Sequence, residues 1–93
     1  MIEATLPIVN KLGLHARAAG KLVNLTKTFS SQVTVSRAGD ESGEAVDGKS
    51  IMAVMLLAAP LGSELKVRVS GEDEEAAMAA IAELIADRFS EEE

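Results

Sequence analysis

Residues 64–70 read ELKVRVS, a stretch in which every second side chain is apolar. An apolar period of two is typical of a strand that is buried on one face and exposed on the other. The apolar face would carry Leu65, Val67 and Val69, and the polar face Lys66, Arg68 and Ser70. Strands of this kind form antiparallel sheets that helices cover on one side only. This stretch therefore predicts an open-faced α+β sandwich.

The other segments of the chain extend this pattern. Alternating or apolar runs predict strands over residues 2–9, 33–35 and 44–47, and helical spacing predicts helices over residues 16–29, 50–58 and 73–89. Pro7 lacks a backbone N–H and places the first strand at a sheet edge, and residues 39–43 indicate a loop. We expect one domain over residues 1–93 in the order β-α-β-β-α-β-α, with a four-stranded antiparallel sheet and three helices on one face.

The composition excludes several classes of function. Of the 93 residues, 47% are hydrophobic and 26% are charged, which is ordinary for a globular domain. The net charge of −6 argues against general binding to nucleic acids or to anionic lipid surfaces. Because the chain has no cysteine and one histidine, it has no disulfide framework, thiol nucleophile, zinc ribbon or histidine metal cluster. We therefore expect no bound metal.

The charge is distributed unevenly along the sequence. Residues 72–93 contain nine acids and one base, whereas residues 1–71 contain six acids and eight bases. The N-terminus shows neither a basic region nor a long apolar one, and the longest apolar run, residues 51–61, is about half of a ~20-residue membrane span. We therefore expect a cytoplasmic protein that does not associate with membranes.

His15 is the only residue able to exchange protons or act as a nitrogen nucleophile near neutral pH. It precedes the first predicted helix, which places it at or next to the N-cap. The N–H groups of a helix start disfavour an imidazolium and, together with Arg17, would stabilise an anion bound to a neutral ring. From the residues alone, however, a lone histidine is more often structural, and an arginine is more often a solvated charge.

Two motifs resemble a known family. GLHARAA, residues 13–19, resembles the active-site motif GLHARPA of the histidine-containing phosphocarrier proteins (HPr) of the bacterial phosphotransferase system. DGKSIMAVMLLAA, residues 47–59, resembles the second signature of that family, which surrounds a regulatory serine. The resemblance covers essentially all 93 residues. It departs from the family at Ala18, where proline is usual, and at Ala53, where glycine is common.

The resemblance implies a covalent phosphohistidine carrier that is not a stand-alone enzyme and holds no cofactor. His15 would accept a phosphoryl group on Nδ1 from phosphorylated enzyme I, itself charged by phosphoenolpyruvate, and pass it to an enzyme IIA protein. Arg17 would lie close to that phosphate and stabilise it. The output would be sugar uptake or its regulatory, nitrogen-related branch, and the chain would act as a monomer.

The resemblance also implies regulatory and docking residues. Ser50 matches a serine that a dedicated kinase phosphorylates in some members and that a phosphorylase would restore, while from the residues alone it is a helix N-cap. Ile51, Met52 and Met55 match an apolar docking patch, whereas such a stripe on a short helix is more often core. The partner contacts implied on the first helix are Ala16, Ala18, Lys21 and Lys27.

Two other functions fit part of the sequence. A histidine phosphotransfer domain of a two-component relay would also be phosphorylated on a histidine, but it is an all-helical bundle, and alternating runs such as residues 64–70 argue against it. The second alternative is a small non-catalytic α+β binding module in which His15 is structural.

Overall fold

The computed structural model describes residues 1–39, 45–57 and 59–90, in which the chain forms a four-stranded antiparallel sheet with three helices on one face. The strands are β1 (Ile2–Pro7), β2 (Gln32–Arg37), β3 (Val46–Asp47) and β4 (Glu64–Ser70). The helices are α1 (Ala16–Thr26), α2 (Ile51–Met55) and α3 (Glu74–Ala86), and a short 3-10 turn follows at Arg88–Ser90. The predicted fold class and element order are confirmed. Residues 40–44, which belong to the predicted loop and third strand, lie outside the described residues.

The strands lie in the order β1-β4-β2-β3, so β4 pairs with both β1 and β2. The alternation predicted for β4 is confirmed, because Leu65, Val67 and Val69 are buried and the side chains between them are not. β1 lies at an edge, where the missing N–H of Pro7 is tolerated. The presence of this sheet rules out the all-helical bundle of a histidine phosphotransfer domain.

The helices bury the apolar face of the sheet and form one core with it. The residues of α1 and α3 that are buried in this core are Ala18, Ala19, Leu22, Val23, Ala77, Met78, Ile81 and Ile85. Phe29 and Leu84, which continue the helical spacing of these residues, are only partly buried. One apolar face of each helix therefore packs in the core.

The end of α1 and the residues that follow it make hydrogen bonds with the turn that precedes α2. α1 is shorter than the helix predicted over residues 16–29, because Thr28 N and Phe29 N donate to carbonyls three residues back rather than four. Thr26 Oγ1 lies 2.7 Å from Gly48 O, and Lys49 Nζ donates to Phe29 O at 2.8 Å. These contacts fix the start of α2 relative to α1.

α2 is a short helix, and Ser50 caps its N-terminus. Ser50 Oγ accepts a hydrogen bond from Ala53 N at 3.3 Å, which confirms the predicted capping role. The helix ends at Met55, with Leu56 as its C-cap, and is shorter than the helix predicted over residues 50–58. Ala58 lies outside the described residues.

α3 ends at Ala86 rather than at Phe89 as predicted. Arg88 and Phe89 have φ angles of 55° and 54°, in the left-handed region, so the chain turns back toward the core. The Phe89 side chain is fully buried there, and Lys21 Nζ of α1 donates to its carbonyl oxygen at 2.6 Å. Burial of the ring, about 1.5–3 kcal/mol, helps to offset the cost of this local backbone conformation.

Asp73 joins the start of α3 to the turn between α1 and β2. Its carboxylate accepts hydrogen bonds from Ser30 N at 2.8 Å, from Ser31 N at 2.9 Å and from Ser31 Oγ. The Ser31 hydroxyl and then the Ser30 N–H lower the pKa of Asp73 from its ordinary 3.8 to about 2. The ionised carboxylate therefore contributes to the stability of the fold.

Acidification is expected to weaken the fold through Asp73. Because the folded-state pKa lies below the unfolded one, the contribution of Asp73 is complete above about pH 4 and is lost as the pH falls toward about 2. Ser31→Ala removes the largest cause of this shift. The variant should be less stable than wild type above about pH 4 and should lose less stability below it. Urea unfolding across this range tests the prediction, and equal pH slopes for the two proteins would contradict it.

Candidate functional site

His15 lies where the chain leaves the turn after β1 and enters α1. It is the N-cap of α1, with extended backbone angles (φ −81°, ψ 178°), in agreement with the sequence prediction. Its Nδ1 accepts a hydrogen bond from the Arg17 N–H, with 3.2 Å between the two nitrogens. A ring nitrogen that accepts a hydrogen bond carries a lone pair, so a neutral ring has its hydrogen on Nε2. The nucleophilic lone pair of His15 therefore faces the start of α1.

The start of α1 is a favourable place for an anion. The first hydrogen bond within the helix runs from Ala19 N to His15 O at 2.8 Å, and the N–H groups of residues 16–18 precede it. The first turn contains no acidic residue. A negatively charged group on His15 Nδ1 would lie beside these N–H groups, at the positive end of the helix dipole.

A tight turn before His15 fixes its approach to the helix. Gly13 has a φ of +69°, and a Cβ at this position would lie 2.5 Å from Ala59 O and 2.8 Å from Pro60 Cα. The next residue, Leu14, is buried, and its N–H donates to Ala59 O at 2.8 Å. Only glycine fits this position, because both the backbone angle and the adjacent chain exclude a side chain. The connection between α2 and β4 thus supports the residues that lead to His15.

The first turn of α1 separates the predicted site residues into two groups. Ala16 and Arg17 are exposed beside His15. The structure contradicts the prediction for Ala18, because this side chain is 1% exposed and packs in the core, where it cannot contact a partner. The helical period explains the difference, since successive residues point in directions about 100° apart.

The predicted lysines of α1 lie away from the histidine. Lys21 is partly buried, and its ammonium group donates to Phe89 O, so it serves the fold. Lys27 is exposed but is the C-cap of α1, roughly 18 Å along the helix axis from His15. Of the cations predicted on α1, Arg17 is therefore the one next to His15.

α2 and its C-cap present four apolar side chains to solvent. Ile51, Met52 and Met55 are exposed, and Leu56, which was not among the predicted site residues, is 81% exposed. We call these four residues the α2 patch. The helical spacing of residues 51, 52, 55 and 56 could have identified it, but the same spacing equally describes a core stripe. Val54 is the residue that α2 buries, and this places the patch on the outer side.

Two further leucines are exposed, one within the turn before His15 and one in the segment that packs against this turn. Leu12, within the turn before Gly13, is largely exposed, as is Leu61, which follows the Pro60 that Gly13 contacts. The sequence pattern does not identify either leucine as a site residue, because neither lies in a periodic element. Within the described parts of the chain, no helix has the length and apolar character that a membrane crossing requires.

The chain is similar to known proteins along nearly its whole length. A family model described as "PTS HPr component phosphorylation site" matches residues 2–87. The chain is 52% identical over 91 residues to the phosphocarrier protein HPr of Xylella fastidiosa (strain Temecula1), with 98% of each chain covered, and 50% identical over the same length and coverage to that of Cupriavidus necator. The crystal structure of HPr-C-His from Thermoanaerobacter tengcongensis matches with a TM-score of 0.89, 41% identity and complete coverage of both chains. The chain therefore belongs to the HPr family, the phosphocarrier proteins of the phosphotransferase system.

Proposed function

We propose that this chain accepts a phosphoryl group on His15 Nδ1 from phosphorylated enzyme I and passes it to an enzyme IIA protein in the cytoplasm. The observation that carries the proposal is the hydrogen bond from the Arg17 N–H to His15 Nδ1. It directs this nitrogen toward a helix start, where an attached anion is stabilised. Membership of the HPr family supports the same role.

In the transfer, the lone pair of His15 Nδ1 attacks phosphorus. The bond from phosphorus to the donor atom breaks, and its electron pair remains on the donor. As the nitrogen–phosphorus bond forms, the Arg17 N–H loses Nδ1 as its acceptor and can donate to a phosphoryl oxygen instead. The exposed Arg17 side chain, two residues after His15, adds a positive charge to the same turn of α1. Transfer to enzyme IIA reverses these changes, so the ring carries the group and is regenerated.

The α2 patch is the surface that we propose for docking both partners. Its side chains are exposed, and an apolar cluster of this kind on a small monomeric domain is typical of a protein interface. Ser50 lies immediately before the patch. Phosphorylation of Ser50 by a kinase would add a charge of about −2 at the edge of this apolar surface and would weaken docking.

The decisive experiment is incubation of the protein with phosphoenolpyruvate and a matched enzyme I. We expect the wild-type protein to gain one phosphate by mass, and we expect this phosphate to be lost in acid, as a nitrogen-linked phosphate is. Addition of an enzyme IIA protein should return the carrier to its original mass. A wild-type protein that gains no phosphate from a matched, active enzyme I would refute the proposal.

Met52→Glu is expected to weaken docking without weakening the fold. Met52 is 78% exposed, so stability should change by no more than about 0.5 kcal/mol. Loss of an apolar anchor from an interface should raise the KM for phosphorylation by enzyme I about tenfold. Gln32→Glu makes the same charge change at an exposed residue of β2 and should leave KM unchanged. An equal rise of KM in both variants would show a general charge effect instead of docking by the α2 patch.

A further inference from the structure

Asn10 is a polar residue whose side chain is fully buried close to His15 in the chain. It is 0% exposed, and its Nδ2 donates to Gly13 O at 2.7 Å. In return, Gly13 N donates to Asn10 O at 3.1 Å. The side chain and backbone of Asn10 together close the turn over residues 10–13.

Backbone hydrogen bonds to residues 59–63 hold the chain on both sides of this turn, and we call them the two anchors. Before it, Ile8 N donates to Ser63 O at 2.8 Å, and Gly62 N donates to Ile8 O at 3.1 Å. After it, Leu14 N donates to Ala59 O at 2.8 Å. Between these anchors, two hydrogen bonds join Asn10 to Gly13 across the turn. His15 begins α1 directly after the second anchor.

We propose that Asn10 is a positioning residue for phosphoryl transfer and holds the backbone before His15 in the path that presents Nδ1 to the donor. The role rests on the proposed function of His15. Without the Asn10 amide, the buried Gly13 carbonyl loses this donor, and the turn must shift to provide another partner. A shift two residues before the N-cap moves the histidine ring relative to the Arg17 N–H.

The hydrogen bond of Asn10 differs from the other buried polar contacts in what it connects. Thr26 and Ser31 each join separate elements, because Thr26 Oγ1 reaches Gly48 O in addition to Val23 O of its own helix, and Ser31 Oγ reaches Asp73. Asn10 Nδ2 reaches a carbonyl only three residues along the chain. Its removal should therefore alter one turn more than the packing of the core. That turn is the one from which His15 emerges.

The test compares Asn10→Ala with Ser31→Ala, which loses a partly buried hydrogen bond in the turn between α1 and β2. Two readouts are measured on the folded proteins. The first is kcat and KM for phosphoryl transfer from phosphorylated enzyme I to the carrier. The second is the pair of ring ¹⁵N chemical shifts of His15, which are unambiguous because the chain has one histidine. The shift of Nδ1 reports its hydrogen bond with the Arg17 N–H.

We expect Asn10→Ala to lower kcat about tenfold, as a small displacement of a reacting group does, with a smaller change in KM. The Nδ1 shift should move in Asn10→Ala and remain at the wild-type value in Ser31→Ala. If Asn10→Ala does not fold, Asn10→Ser takes its place. The serine hydroxyl is too short to reproduce the contact of the Asn10 amide with Gly13 O, so this variant tests the same hydrogen bond.

The inference is overturned if the Asn10 variant has the same kcat and the same ring shifts as Ser31→Ala, since Asn10 then supports stability alone. This outcome is distinguishable from failure of the proposed function. If the wild-type protein accepts no phosphate, the ring shifts still show whether Asn10 controls the position of His15. If the wild-type protein is active, the comparison of kcat tests Asn10 alone.

Discussion

His15→Ala is expected to abolish the gain of phosphate from phosphoenolpyruvate and enzyme I. No other side chain in the sequence is a nitrogen nucleophile near neutral pH, and alanine removes both ring nitrogens. The substitution also removes the side chain that caps α1, which accepts the Arg17 N–H. We therefore expect a loss of stability of about 1 kcal/mol in addition to the loss of function.

His15→Asn separates these two effects. Asparagine is among the best N-cap residues, so this variant should recover the stability that His15→Ala loses. It has no ring nitrogen and should remain inactive. Mass spectrometry after incubation with enzyme I measures the phosphate uptake, and urea unfolding measures the stability. Phosphate uptake by either variant would place the accepting residue elsewhere and contradict the assignment of His15.

Gly13→Ala is expected to cause a large loss of stability, because an added methyl group has no room beside the neighbouring backbone. The new Cβ would lie 2.5 Å from Ala59 O and 2.8 Å from Pro60 Cα, both of them backbone atoms, and the φ of +69° is itself unfavourable for alanine. Strain and overpacking together should cost about 2–5 kcal/mol. In a domain of this size, the melting temperature should fall by at least about 10 °C.

Gly20→Ala is the matched control for this substitution. Gly20 lies inside α1, and a Cβ there would meet nothing within 4 Å. Alanine is the better helix former, so this variant should gain about 0.5–1 kcal/mol. Thermal melts of the two variants should therefore shift in opposite directions. A Gly13→Ala protein as stable as wild type would show that the turn before His15 can move away from Ala59 and Pro60 at little cost.

Most of the fold could be predicted because its signals are local. The alternation of Leu65, Val67 and Val69 predicts a half-buried strand, whichever partners that strand later finds. The end of α3 could not be predicted in this way. The sequence continues a helical pattern to Phe89, but the ring of Phe89 reaches the core only if the backbone leaves the helix at Arg88. A tertiary contact decided this boundary against the local pattern.

The candidate site shows the same division. The GLHARAA motif identifies His15 and Arg17, and the structure places both at the start of α1. The motif does not show that Ala18, three residues after the histidine, is buried whereas Ala16 is exposed. The sequence predicts Asn10 only as a turn residue together with Lys11 and Gly13, because asparagine and glycine are typical of any turn. Its importance depends on its burial and on the carbonyl that it contacts.

The sequence by itself determined the reactive side chain, its neighbouring arginine and the class of fold, because these depend on residue type and on short-range periodicity. The tertiary structure alone decided which apolar residues became core and which became surface. Val54 and Met52 are two residues apart on one short helix, yet one is buried and the other is 78% exposed. Their exposure is set by the sheet and by α1, which are distant in sequence. Burial is a property of contacts between such segments, so local periodicity does not contain it.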